Sequence, residues 1–257
     1  MADGSTIEWT NATWQIVTGC SLESPGCTRC YAMKLAGGRL RNHPSREGLT
    51  TDSKAGPVWN GSVRFNESWL HQPRKWKKPR MIFVAAHGDL FHPMVDSHWL
   101  DQIFAEMENC HWHTFQVLTK RSVRMRDYMS RYGSPPPNVW CGISAENQVW
   151  FDYRIADLMR TPAAKRFLSL EPLLGPIDAY PWLGTGVGKS KIDWAIVGAE
   201  SGSGARHMSL AWAHTLRDQC AASGTAFFMK QISGAAGRAI KDIALFPREL
   251  QVREFPR

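Results

Sequence analysis

No uninterrupted apolar run approaches the roughly 20 residues that a helix needs to span a bilayer, so no membrane-spanning helix is expected. There is no internal repeat of fixed period and no low-complexity tract, which argues against a solenoid, a propeller or a long disordered tail. The opening residues, Met1-Ala2-Asp3-Gly4-Ser5-Thr6, lack the basic-then-apolar order of a secretion signal, so a cytoplasmic protein is expected. Cysteine is scarce outside one place. Cys20, Cys27 and Cys30 lie together, whereas Cys110, Cys141 and Cys220 are isolated. A reducing compartment disfavours a disulfide framework, so the cluster points to metal or redox chemistry. Negative charge is in deficit. Asp plus Glu number 23 against 31 Lys plus Arg, and the resulting +8 favours polyanionic partners.

What is present suits a large globular domain. The 257 residues are 43% hydrophobic and 21% charged, enough to bury a core. Short apolar runs end in polar residues along the chain. They are Ile82-Phe83-Val84-Ala85-Ala86, Thr114-Phe115-Gln116-Val117-Leu118, Val139-Trp140-Cys141-Gly142-Ile143, Arg166-Phe167-Leu168-Ser169-Leu170, Trp194-Ala195-Ile196-Val197-Gly198 and Ala226-Phe227-Phe228-Met229. Each has the length and composition of a strand buried on both faces. Helical spacing of apolar residues appears between them, over 97–110, 147–159 and 210–222. With a first strand near Trp14-Gln15-Ile16-Val17-Thr18, the pattern predicts an α/β fold. It is a full or partial (β/α) barrel of the TIM type with parallel strands, in one domain over 1–257. A loop-rich basic insertion at about 39–80, with one short helix near Ser68, interrupts it.

Polar residues gather after the strands. Asp89, Lys120, Glu146, Glu171, Glu200 and Lys230 follow successive runs, and reactive groups of α/β barrels collect at that rim. Four of the six are carboxylates, so a shared polar site is expected there.

The cysteine spacing is C-x6-C-x2-C. Thiolates are soft ligands for zinc or iron–sulfur clusters. A structural zinc site closes with four ligands, and no fourth Cys or His lies close in sequence. Three thiolates suit a [4Fe–4S] cluster with one open position better. A zinc-stabilised, non-catalytic nucleic-acid-binding protein stays open as the alternative. Cys110, Cys141 and Cys220 fit buried core thiols.

The loop Cys20-Ser21-Leu22-Glu23-Ser24-Pro25-Gly26-Cys27-Thr28-Arg29-Cys30-Tyr31 after a first strand resembles that of the radical S-adenosylmethionine superfamily. The usual spacing there is C-x3-C-x2-C, so the first gap departs from it. The sequence is more similar still to a little-characterised, phage-associated three-cysteine family. The shared motifs include Gly88-Asp89-Leu90-Phe91-His92, Leu118-Thr119-Lys120-Arg121, Gly142-Ile143-Ser144-Ala145-Glu146-Asn147, Ser169-Leu170-Glu171-Pro172, Gly198-Ala199-Glu200-Ser201-Gly202 and Phe227-Phe228-Met229-Lys230-Gln231. The resemblance implies that Cys20, Cys27 and Cys30 hold three irons of a [4Fe–4S] cluster and that S-adenosylmethionine occupies the fourth. One electron, from a donor such as a flavodoxin or ferredoxin, would then yield a 5′-deoxyadenosyl radical that takes hydrogen from a substrate. In that superfamily a Gly-rich acidic motif after the second strand meets the amino group of S-adenosylmethionine, which implies that role for Gly88 and Asp89, a turn cap being the alternative for Asp89. Tyr31, Ser144, Glu146, Glu171, Glu200 and Ser201 are further cofactor candidates, Glu146 suiting a helix start equally.

Other residues are candidates for substrate. Lys120, Lys230 and Arg206 would meet an anion, or neutralise the carboxylates. Arg74-Lys75-Trp76-Lys77-Lys78-Pro79-Arg80 places five cations around one Trp, a pattern that can neutralise phosphates and stack on an exposed base. DNA or RNA is therefore the expected partner, and base repair such as photoproduct reversal, or base modification, the expected use. A small molecule or peptide is the alternative substrate. The run Leu183-Gly184-Thr185-Gly186-Val187-Gly188-Lys189-Ser190 imitates a phosphate-binding loop, but it lacks the first Gly and is followed by a strand rather than a helix. It is expected to be a plain loop.

Overall fold

The computed structural model describes residues 4–184, 191–202 and 204–257. The segment 185–190, which holds most of the imitation phosphate loop, lies outside them. Two compact units divide the chain: Met1–Cys141 with Pro162–Ala164, and Gly142–Thr161 with Lys165–Arg257.

The first unit contains β1 (Ala12–Trp14), β2 (Val17–Thr18), α1 (Tyr31–Gly37), β3 (Thr50–Ser53), β4 (Gly56–Trp59), β5 (Arg64–Phe65), β6 (Met81–Val84), α2 (Ser97–Asn109), β7 (Thr114–Thr119) and α3 (Ser122–Tyr132). β8 (Val139–Ser144) begins in this unit and ends in the other. β1 pairs in parallel with β6, Ala12 opposite Ile82, and β6 with β7, Met81 opposite Thr114. The strands are short and apolar because both faces are covered. Trp14, Ile82 and Phe115 are fully buried, and α2 buries Leu100, Ile103, Phe104 and Met107. Burying one such side chain fully contributes about 1.5–3 kcal/mol. Asp96 starts α2 by accepting from His98 N at 2.7 Å.

The expected first strand over 14–18 is corrected. The parallel strand is Ala12–Trp14, and Val17–Thr18 turns away to pair antiparallel with β5. β6 likewise stops at Val84, because Ala85 takes a positive φ of 54°. The 39–80 segment is more ordered than a loop. It holds the β3–β4 hairpin, β5 and a 3-10 turn at Glu67–Trp69, where one short helix is expected.

The second unit contains the end of β8, α4 (Gln148–Arg160), β9 (Lys165–Leu170), β10 (Trp194–Gly198), α5 (Leu210–Ser223), β11 (Ala226–Ser233) and β12 (Ala239–Ile240). β9–β10 and β10–β11 are parallel, and β12 closes the edge antiparallel to β11. Asn147 caps α4 by accepting from Trp150 N at 3.2 Å.

In the sheet the order is β1-β6-β7-β8-β9-β10-β11-β12, which follows the chain without reversal. A doubly wound sheet would reverse its order once. The fold is thus α/β, mostly parallel, and of the partial (β/α) barrel type. Among the described residues no helix is long and apolar enough to cross a membrane.

Candidate functional site

The cysteine loop leaves β2 through Gly19, whose φ is +92° and where a Cβ would sit 2.3 Å from Ser62 O. Only glycine fits so close a backbone crossing. Gly88 serves from the other side, since a Cβ there would lie 2.8 Å from Val17 O. A 3-10 turn, Pro25–Cys27, folds the loop back, and Cys30 N donates to Cys27 O at 3.2 Å. α1 then starts at Tyr31. Cys20 and Cys30 pack against its apolar cluster of Ala32, Met33, Ala36, Leu49 and Trp59. Tyr31 Oη donates to Ala86 O at 2.8 Å and ties the helix start to the turn after β6.

All three thiols are free and half-buried. Burial first, and then the Asp89 charge, push the Cys20 thiol up to about 12, while Arg121 opposes them. Burial also raises Cys30, against the backbone N–H groups of Met33 and Ala32 that favour its thiolate. Cys20 feels Cys27 and Cys30, and Cys30 feels Cys27, so the three sulfurs lie within one another's field. Thiols held neutral in this way ionise when a metal displaces the proton. Among the described residues no group of three or more His, Cys, Asp or Glu converges as a single ion requires. Three soft donors on one loop match the ligand count of a [4Fe–4S] cluster with one open position, whereas a closed zinc site needs a fourth.

Arg121 organises the loop's surroundings. It is buried. Its Nη1 donates to Asp89 Oδ2 at 2.9 Å and approaches Cys20 Sγ at 3.6 Å. Its Nη2 donates to Ser21 Oγ at 2.9 Å and Ser21 O at 3.2 Å. Asp89 accepts in addition from Thr119 Oγ1 at 2.6 Å, Phe91 N at 2.9 Å and Lys120 N at 3.2 Å. The carboxylate expected to meet a ligand's amino group is therefore occupied as the anchor of Arg121. Lys120 lies close enough to Cys30 to favour its thiolate. His92 Nδ1 accepts from Met94 N at 3.2 Å, so its Nε2 carries the proton and donates to Ser21 Oγ at 2.9 Å. Burial, then the Arg121 charge, hold this ring down at about 4. Sequence reasoning misses Arg121 and His92 as site residues. The signal that could have found them is their place in two of the shared motifs, Leu118-Thr119-Lys120-Arg121 and Gly88-Asp89-Leu90-Phe91-His92.

The remaining rim candidates belong to the second unit, and each carboxylate there has a cation. Glu146 and Arg154 are both 0% exposed and 3.4 Å apart, and Arg154 also donates to Ser144 O at 2.8 Å. Glu146 and the buried Ser144 thus build the start of α4. Glu146, expected at a cofactor, is fully buried beside Arg154. Glu171 pairs with Lys230 at 3.0 Å, and Gly198 leaves room for it, since a Cβ there would lie 2.5 Å from Glu171 Oε1. Glu200 accepts from Arg206 N at 2.8 Å and Nε at 2.9 Å, and from Nη2. Arg206 is spent on this pair. Ser201 follows, half-buried.

Part of the basic segment is engaged within the fold. Arg74 grips the buried Glu106 bidentately, Nε–Oε1 2.7 Å and Nη2–Oε2 2.6 Å, with His71 at 2.9 Å on the same carboxylate. Trp76 is 8% exposed, with Arg80 over its ring at 5.3 Å and His113 edge-on. It offers no open face to a base. Lys75, Lys77 and Lys78 are exposed. Cys110, Cys141 and Cys220 are fully buried, as expected for core thiols.

These features define a mostly parallel α/β protein with a three-thiol loop after its first strands. The chain belongs to the family described as protein of unknown function, DUF5131, whose profile matches residues 4–249. No curated protein matches it. Among solved structures it is similar to spore photoproduct lyase complexed with the dinucleoside spore photoproduct, at 12% identity and a TM-score of 0.45, covering 77% of this chain and 58% of that one. A single-residue variant of that enzyme gives 12% identity and 0.47, over 92% and 61%. The chain spans about three-fifths of the length of those proteins.

Proposed function

We propose that this protein is a radical S-adenosylmethionine enzyme. The carrying observation is the set of three free, half-buried thiols on one loop, within one another's field. The donor set fits a [4Fe–4S] cluster held by Cys20, Cys27 and Cys30, with one iron left to S-adenosylmethionine. Such a cluster would supply the one-electron reduction of S-adenosylmethionine that radical hydrogen abstraction requires. The chain's own residues position the loop. Arg121 holds Cys20 and Ser21 in place, and Asp89 fixes Arg121. Tyr31 pins the start of α1 against the turn after β6.

For the substrate we favour nucleic acid, with base repair or base modification as the use. The net charge of +8 and the exposed Lys75, Lys77 and Lys78 support phosphate binding. A target base would have to be unpaired or extruded. The zinc-protein reading asks for four ligands converging on one ion, and among the described residues not even three do so.

The test is anaerobic reconstitution with iron and sulfide, then reduction with S-adenosylmethionine present. The proposal expects a brown protein that forms 5′-deoxyadenosine, with both properties lost in Cys27→Ala. A colourless protein carrying stoichiometric zinc would refute it.

A further inference from the structure

Arg46, in the turn before β3, is 4% exposed. Guanidinium stays charged and only donates. Its Nη2 donates to His87 Nδ1 at 2.8 Å, and its Nη1 to the Ser45 carbonyl and hydroxyl. The Ser45 hydroxyl continues to His43 Nδ1 at 2.7 Å. Arg46 Nε has no hydrogen-bond partner among the described residues. No carboxylate there bonds this cation. Burial, and then the like charge of Arg64, lower it to about 10. A buried cation without a counter-ion costs several kcal/mol, so these groups form an incomplete set.

The neighbour of this cation is oriented. Because Arg46 can only donate, His87 Nδ1 must accept, and the ring proton sits on Nε2. That N–H has no hydrogen-bond partner among the described residues, and His87 is half-buried rather than sealed. Its backbone is fixed, with N donating to Gln15 Oε1 at 2.9 Å and O accepting from Gly19 N at 3.1 Å. The ring stands edge-on to Tyr31 at 5.9 Å, and Tyr31 directly follows Cys30.

We infer that His87 Nε2–H, backed by the Arg46 guanidinium, is the contact for an anionic oxygen of a ligand bound over the cysteine loop. His87 touches the ligand. Arg46 acts through it as a positioning residue that fixes the tautomer and supplies the positive field. The nature of the ligand rests on the radical-enzyme reading, whereas the oxyanion chemistry does not. Two ligands offer that chemistry: the carboxylate of S-adenosylmethionine and a phosphate of the nucleic acid.

The test uses the full-length protein, cluster-free and reconstituted, so a failure to take up iron is read separately. In the cluster-free protein, imidazole nitrogen NMR should show His87 as the Nε2–H tautomer, with a saturable shift on adding inorganic phosphate. His87→Phe keeps the ring against Tyr31 and removes the donor. It should abolish that shift and weaken one probe about tenfold, as expected for one charge-assisted hydrogen bond. In the reconstituted protein, weaker S-adenosylmethionine binding with unchanged binding of its decarboxylated analogue assigns the carboxylate. Weaker binding of a short single-stranded oligonucleotide assigns the phosphate. Arg46→Met should release the tautomer, and Arg46→Lys should restore part of the affinity. If Arg46→Met does not fold, His87→Phe alone carries the test. An unmoved His87 resonance, or equal affinities of wild type and His87→Phe for every probe, overturns the inference.

Discussion

Arg121 Nη1 stands 3.6 Å from Cys20 Sγ and 2.9 Å from Asp89 Oδ2, so one guanidinium binds a candidate cluster ligand and a buried carboxylate together. An N–H group and a positive charge beside a ligand sulfur stabilise the reduced, more negative cluster. Arg121→Gln should therefore lower the midpoint potential by several tens of millivolts, and Arg121→Lys by less. A potentiometric titration followed by electron paramagnetic resonance reads the shift.

The same pair governs stability. Removing Arg121 leaves Asp89 buried without its cation, and breaking such a pair costs about 3–5 kcal/mol. Arg121→Gln should lower the urea midpoint, and the double variant Asp89→Asn with Arg121→Gln should recover part of that stability. Additive effects would show that the two residues do not act as a pair.

Acid should destabilise the fold through two histidines. Burial and Arg46 hold His87 down at about 4, and burial and Arg121 hold His92 at about 4, against an ordinary value of 6.5. Between pH 4 and 6.5 the unfolded chain binds more protons than the folded one, so stability falls as pH falls through that window. Each group contributes at most about 1.4 kcal/mol per pH unit, and His92, being partly solvated, contributes less than His87. Urea unfolding across this range should show the slope, and His87→Gln should flatten it.

Nucleic-acid binding should depend on the exposed lysines rather than on Trp76. Replacing Lys75, Lys77 and Lys78 by Ala should weaken binding to single-stranded DNA and reduce the salt slope by about 0.7 for each phosphate no longer neutralised. Arg74→Ala should destabilise the protein through Glu106 while leaving that slope unchanged. A filter-binding series in salt separates the two effects.

Much of this fold is legible in the sequence. Runs such as Trp194–Gly198 and Thr114–Thr119 read as strands because both faces are buried and the composition is correspondingly apolar. The kink after Trp14 is not legible, because the partner that draws Val17–Thr18 away is Arg64–Phe65, far along the chain. The thiol loop is legible from its spacing. Its support by Arg121 is not, since Lys120 and Arg121 look alike as letters and only the fold turns one of them onto Cys20. Trp76 among cations resembles a stacking platform, yet Arg80 and His113 cover it, and Glu106, 32 positions from Arg74, takes the guanidinium expected to serve a phosphate.

The central claim, a three-thiolate cluster with a position open to S-adenosylmethionine, is tested most directly by the electron paramagnetic resonance of the reduced, reconstituted protein. The account predicts a [4Fe–4S] signal that changes shape when S-adenosylmethionine is added. No cluster signal, or one that S-adenosylmethionine leaves unaltered, would contradict it.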